Sequence, residues 1–378
     1  MTKSFFLSAP FRPFFFFTAI MAVAIPTFWV SIFTGHLDLE TLFSTSLVWH
    51  AHEMIFGFTS SLLAGFLLTA SAVWTKKNPF SGYKLISLLA LWVLERIFYL
   101  LPVPIPVALG TSALFSLLFL FFMTNILWGN RRNFKTVLPV LLLFFIFKFF
   151  LLVGDFSSHD FLYRMGIHGG IFSIVLFIVI FSGRLIPFFT KVRLQTEIKE
   201  PTWAHYLSLG AHILLIFCVR GLIPDFVTAA LLFLALFSNL IRFYFWKPSQ
   251  ALKEPMLAIL HSGFLWVNFG LFLYLLTTLY PDLDYSQLSL HALGTGALGV
   301  FSIGMMVRVT RGHSSLKMQS DAWDLAAFIC VNIGALTRVF IPLLIPEYYW
   351  NSLHWASGFW TLGFIIYLFK YTNVLFKK

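Results

Sequence analysis

Apolar stretches long enough to cross a bilayer, separated by short charged loops, recur from one end of the chain to the other. They fall at about 14–34, 48–74, 85–101, 107–128, 137–153 and 165–188, then at about 204–220, 224–246, 256–279, 288–310, 323–344 and 352–371. A helix needs roughly 20 apolar residues to span about 30 Å of hydrocarbon. In lipid, moreover, each backbone polar group must find its partner within the protein, which helices achieve locally. The pattern therefore predicts an all-α, polytopic membrane helical bundle of about twelve transmembrane helices, forming a single integral membrane domain over residues 1–378. Composition agrees: 59% of residues are hydrophobic and 11% charged, against roughly 25% charged in soluble domains. Pro102, Pro104 and Pro106, Gly129-Asn130, Gly154-Asp155 and Pro281 mark the cuts, as breakers should. The weakest division is Arg220-Gly221, between helices seven and eight.

The net charge of +11 would suit nucleic acid if it formed a patch, but it is spread over alternate loops. Lys76, Lys77 and Lys84, then Arg131, Arg132 and Lys135, Lys191, Arg193 and Lys199, Lys247 and Lys253, and Arg311 and Lys317 occupy one set. Asp38 and Glu40, Asp155 and Asp160, Asp225, Asp282 and Asp284, and Glu347 occupy the other. The excess of Lys and Arg marks the cytoplasmic side, so both termini are expected there, with a lipid bilayer and no nucleic acid as surroundings. The N-terminus lacks a short apolar core followed by a small-residue cleavage site, and the first run reads as a retained span. Cys218 and Cys330 lie within apolar runs and form no CxxC or CxxCH pattern, which argues against disulfides, a zinc ribbon and covalent haem attachment.

With that orientation, ionisable residues on several helices fall at one depth, in the outer half of the bilayer. His50, His52 and Glu53 open helix two; Glu95 and Arg96 close helix three; Lys148 lies near the outer end of helix five. Arg164 and His168 start helix six, His291 starts helix ten, Arg338 nears the outer end of helix eleven, and His354 starts helix twelve. Ionisable groups are costly in a membrane and mark function by default. Neutral imidazole is a common ligand of haem iron and copper, and arginines at that depth suit the propionates of a haem. The candidate cofactor-binding residues are therefore His50, His52, His168, His291, His354, Arg96 and Arg164, with His50, His52 and His291 as metal ligands. Glu53, Met54 and Arg338 would support them, Glu53 by orienting an imidazole or relaying a proton.

On a regular helix His50 and His52 point about 200° apart. Either they serve different centres, or one ligates and the other packs. His212 and His261 show no companions at their depth and read as helix-packing hydrogen bonders. The inner-end cluster of Arg12-Pro13, Gly183-Arg184 with Pro187, and Arg308 to His313 reads first as topological anchoring.

Set out in order, these elements resemble the NnrS family of bacterial inner-membrane proteins. The matching stretches are Pro10 to Phe15, Trp49-His50-Ala51-His52-Glu53-Met54, Gly65 to Ala70 with Trp74-Thr75, and Leu91-Trp92 with Arg96. Further matches are Gly183-Arg184-Leu185-Ile186-Pro187 with Phe189-Thr190, His291-Ala292-Leu293 with Gly296-Ala297, and Arg308 with Gly312-His313. The resemblance implies a multi-pass inner-membrane protein carrying haem b and copper, acting in the nitric oxide and nitrosative stress response beside denitrification. It would bind nitric oxide or protect against its iron-nitrosyl products. Two departures stand out. Glu95 precedes the helix-three arginine where the family usually carries Gly, and Ser314-Ser315-Leu316 follows Gly312-His313 where the family usually continues Thr-Gly-Arg, which weakens His313 as a ligand. The competing expectation is a transporter or channel using its intramembrane His, Glu and Arg as a proton or anion relay. An enzymatic reading needs an open coordination position and an electron donor, and neither is legible in the sequence.

Overall fold

The computed structural model describes residues 5–377. Twelve helices of 14 or more residues follow the order of the apolar runs. They are α1 (Phe11–Phe33), α2 (Ser46–Thr75), α3 (Tyr83–Tyr99), α4 (Ile105–Leu127), α5 (Arg131–Phe156) and α6 (Asp160–Leu194). The second half supplies α7 (Thr202–Leu215), α8 (Asp225–Phe245), α9 (Pro255–Leu279), α10 (Ser286–His313), α11 (Ala322–Leu344) and α12 (Tyr349–Phe376). No strand occurs among the described residues beyond one isolated bridge, Arg220 to Ile223.

Ten of these helices are long and apolar enough to cross a membrane. The other two, α3 and α7, are helical where the sequence predicts but stop at 17 and 14 residues. Pro102 and Pro104 bar continuation of α3, and after Leu215 the chain leaves helix for a turn through Gly221 at φ +86°. The run expected over 204–220 is thus a shorter helix and a turn.

Local chemistry sets the ends. Thr45 caps α2 by accepting from the Val48 N–H at 3.2 Å, and Asp321 with Asp324 forms a capping box on α11, each satisfying orphan donors of a first turn. Pro106 and Pro255 occupy first-turn positions of α4 and α9, where the missing N–H costs nothing.

Two helices contain a π-helical segment: Glu53–Phe58 in α2 and Ala292–Gly299 in α10. Each begins directly after a candidate histidine, His52 and His291. Such segments are rare and concentrate at functional sites, because a widened turn re-aims side chains and frees carbonyls.

The chain divides into two compact units. Of the described residues, the first holds 5–170, 309–318 and 364–377; the second holds 171–308 and 319–363. In the first, α1 packs along α2, and α3, α4 and α5 follow in sequence. Gly154 of α5 and Gly166 of α6 each rest on the other helix's backbone, a close approach that small residues permit between membrane helices. In the second, α8 packs between α7 and α9, and the π segment of α10 packs on α9 and α11. Gly296 admits the Trp266 indole there, and Gly299 that of Trp360.

Candidate functional site

The first unit buries a continuous chain of ionisable side chains from α2, α3 and α5. It begins at His52, whose Nδ1 lies 2.9 Å from Glu53 Oε1. A carboxylate only accepts, so Nδ1 carries the proton and Nε2 keeps its lone pair. That Nε2 is buried and has no hydrogen-bond partner among the described residues. Phe43, Tyr99 and Phe56 surround the ring, with centroids 5.0, 4.9 and 5.7 Å away.

Glu53 turns its other oxygen to Arg96, with Oε2 3.0 Å from Nε. Arg96 Nη2 lies 2.8 Å from Glu95 Oε2. Glu95 Oε1 accepts from Ser112 Oγ at 2.6 Å and from Tyr99 Oη at 3.1 Å, and pairs with Lys148 Nζ. The Lys148 ammonium also faces the rings of Phe115 and Phe145, an arrangement that attracts a cation. Glu95 and Lys148 are fully buried. With His52 neutral, two carboxylates balance two cations. That balance is what permits burial, since an unpaired charge at this depth would cost several kcal/mol.

The π segment helps build this chain. Its Gly57 carbonyl accepts from Trp92 Nε1 at 3.1 Å and from Ser60 Oγ at 3.2 Å. A Cβ on Gly57 would stand 2.7 Å from Glu53 Oε2, so the carboxylate reaches Arg96 by lying against bare backbone.

The residues singled out in the sequence occupy several different surroundings. His52, Glu53 and Arg96 are brought together, while His50 occupies another face of α2 and stacks on Trp29 of α1 at 4.4 Å. Met54 is half-buried one residue into the π segment. Arg164 pairs with Asp160 at 2.8 Å on the exposed start of α6, and His168 is half-buried one turn further on. His291, Arg338 and His354 belong to the second unit. There His291 Nδ1 lies 2.7 Å from the Gln287 carbonyl, which leaves the lone pair on Nε2. Arg338 lies over the Tyr349 ring, and His354 is exposed. Among the described residues, no three His, Cys, Asp or Glu side chains gather to hold a metal ion.

Tyr99 and Ser112 are partners that sequence reasoning missed; a hydroxyl on an apolar helix carries no signal of its own. His212 bonds within its own helix, as expected of a helix-packing hydrogen bonder, and its partner Ser208 leads into a buried polar cluster. His212 Nδ1 donates to the Ser208 carbonyl at 2.7 Å. Ser208 Oγ accepts from Arg242 Nη1 at 2.9 Å and donates to Asn239 at 2.7 Å. Arg242 also pairs with Glu200, which accepts from Trp246 Nε1 at 2.6 Å and lies 3.2 Å from His205. Burial alone would raise the Glu200 carboxyl. The His205 contact, the Arg242 charge and the Trp246 hydrogen bond outweigh it and hold the group below the usual carboxylate range.

Comparison with known protein families finds a match to the family model described as NnrS protein, over residues 5–378. No curated protein matches the chain.

Proposed function

Because the chain belongs to the NnrS family, we propose that it is a nitric oxide response protein of the bacterial inner membrane, with both termini cytoplasmic, whose first unit holds haem b through His52. One observation carries the reading: a fully buried imidazole with its Nδ1 proton on a carboxylate and its Nε2 lone pair without a partner. Metal-bound histidines almost always present this pairing, because the carboxylate fixes the tautomer and raises the basicity of the distal nitrogen.

The donor chemistry would suit a single imidazole held to iron better than a closed copper centre, since no three-donor group is assembled among the described residues. Copper would draw on the remaining imidazoles, His50 or His291, whose contacts leave each in a different environment. Bound haem supplies an iron coordination position for nitric oxide. The protein's own residues orient and insulate. Glu53 holds the His52 ring, Arg96 holds Glu53, and Phe43, Phe56 and Tyr99 exclude water from its faces. Arg96 is held by two buried glutamates, whereas Arg164 has an exposed pairing with Asp160, a weak contact in water that a propionate can replace.

The test is a reduced-minus-oxidised spectrum with pyridine haemochrome and metal analysis of the detergent-purified protein, wild type beside His52→Ala. Stoichiometric haem b that is lost in His52→Ala is expected. Haem-free wild type that still protects cells against nitric oxide would sink the reading.

A proton relay is the second reading, favoured by the unbroken sequence His52, Glu53, Arg96, Glu95 and Lys148. It predicts proton uptake by proteoliposomes that Glu53→Gln abolishes with no change in any absorption band. Uptake unaffected by that substitution would remove it.

A further inference from the structure

The motif stretch Gly183 to Thr190 and the distant Arg308 meet in the second unit, and neither enters the site described above. Arg308 lies five residues before the end of α10, where the first expectation is an anchor that reaches for water. Anchoring arginines snorkel; Arg131 and Arg132, at the start of α5, are exposed in that manner. Arg308 is instead only 8% exposed. Its guanidinium lies 3.8 Å over the Phe189 ring, and Nη2 donates to the Met256 carbonyl at 2.7 Å. Nε is buried with no hydrogen-bond partner, and no carboxylate pairs with the group among the described residues.

Two neighbouring features add to this unbalanced charge. Met256 is the second residue of α9, a 25-residue helix whose N-terminus carries no side-chain cap, so its partial positive end adjoins the guanidinium. Glu254, the acid closest in sequence to that end, is paired with Arg193 at 2.9 Å. Thr190, next to Phe189, is fully buried, and its Oγ1 has no partner. A guanidinium against the first turn of a helix, with an unused hydroxyl one residue along the chain from the ring it covers, offers the kinds of donor that recognise an oxyanion.

We propose that Arg308, Thr190 and the N-terminus of α9 form a binding site for a phosphate group, supplied by an anionic phospholipid headgroup or by free phosphate. Phe189 holds the guanidinium plane, and Nε with its unused N–H is the atom directed to the ligand. This converts the motif from an anchor into a recognition element.

The experiment uses full-length protein in detergent. Phosphatidylglycerol is titrated by native mass spectrometry, and inorganic phosphate by phosphorus NMR, on wild type, Arg308→Gln, Thr190→Val and an exposed control, Arg131→Gln. Wild type is expected to retain one equivalent of at least one probe. Arg308→Gln should weaken it by about ten-fold or more, as loss of a charge-assisted hydrogen bond implies. Thr190→Val should weaken it less, and the control should leave it unchanged. Binding of lipid alone identifies a headgroup; competition by phosphate identifies a free-anion site. Wild type that binds neither probe, or Arg308→Gln protein that binds like wild type, overturns the proposal. Should Arg308→Gln not fold, Thr190→Val decides, and wild-type affinity in that variant overturns it.

Discussion

Gly57 shows how a single missing methyl can define a site. Its bare Cα lets the Glu53 carboxylate pass between the His52 ring and the Arg96 guanidinium. Gly57→Ala is expected to destabilise by about 1–3 kcal/mol, the usual cost of overpacking, and to release Glu53 from one of its two partners. Nitrogen-15 spectra of labelled histidine check this: the Nδ1-protonated tautomer of His52 should give way to a mixture. At Glu95 and Lys148, both fully buried, removing one partner strands the other. Lys148→Met alone should cost about 3–5 kcal/mol, whereas Glu95→Gln with Lys148→Met should recover most of it. A double-mutant cycle on thermal unfolding in detergent measures the coupling. Arg96 and Lys148 together make a buried acid at position 95 tolerable.

The π segments decide geometry at the scale of the element. One extra residue in a turn rotates the outer stretch of a helix by about 100° relative to the inner stretch. Deleting Met54 should therefore restore a plain helix, carry His52 away from Tyr99 and Phe43, and leave the inner half of α2 in place. There Thr69 should still accept from the Phe11 N–H. Hydrogen exchange resolved along α2 checks both halves: faster exchange confined to its outer turns is expected. The segment before α7 answers to pH. Glu200 is held below the usual carboxylate value in the fold, so its stabilising contribution is fully present above the unfolded glutamate pKa, about 4.3. It fades as pH falls through the lower folded value. Acidification below about pH 4 should thus loosen residues 195–201, and Glu200→Gln should remove that pH dependence.

For the whole molecule, the alternation of loop charge and the helix order make one prediction together. Phosphatase fusions after Ser157 should be active, and fusions after Lys77 or Arg132 inactive, if the basic loops face the cytoplasm. The all-helical class and the approximate position of most helices were legible because a membrane span is set by local composition, which needs no knowledge of the fold. Limits appeared at α3 and α7, where the apolar runs outlast the helices, because proline and glycine end a helix regardless of hydropathy. His52, Glu53 and Arg96 were legible as candidates because ionisable residues stand out in an apolar chain. Their depth also grouped residues that do not all share one cluster. Depth is one coordinate, and Arg164, placed by it with the buried cluster, pairs instead with Asp160 at an exposed helix start. The sequence by itself therefore determined the class of fold, the family and which side chains are too costly to be idle. Only the tertiary structure decided that Glu53 belongs to His52 and Arg96, that Lys148 answers Glu95, and that Arg242 pairs with Glu200. Those pairings depend on the rotation and crossing of helices, which hydrophobic periodicity leaves open when every face of a helix is apolar.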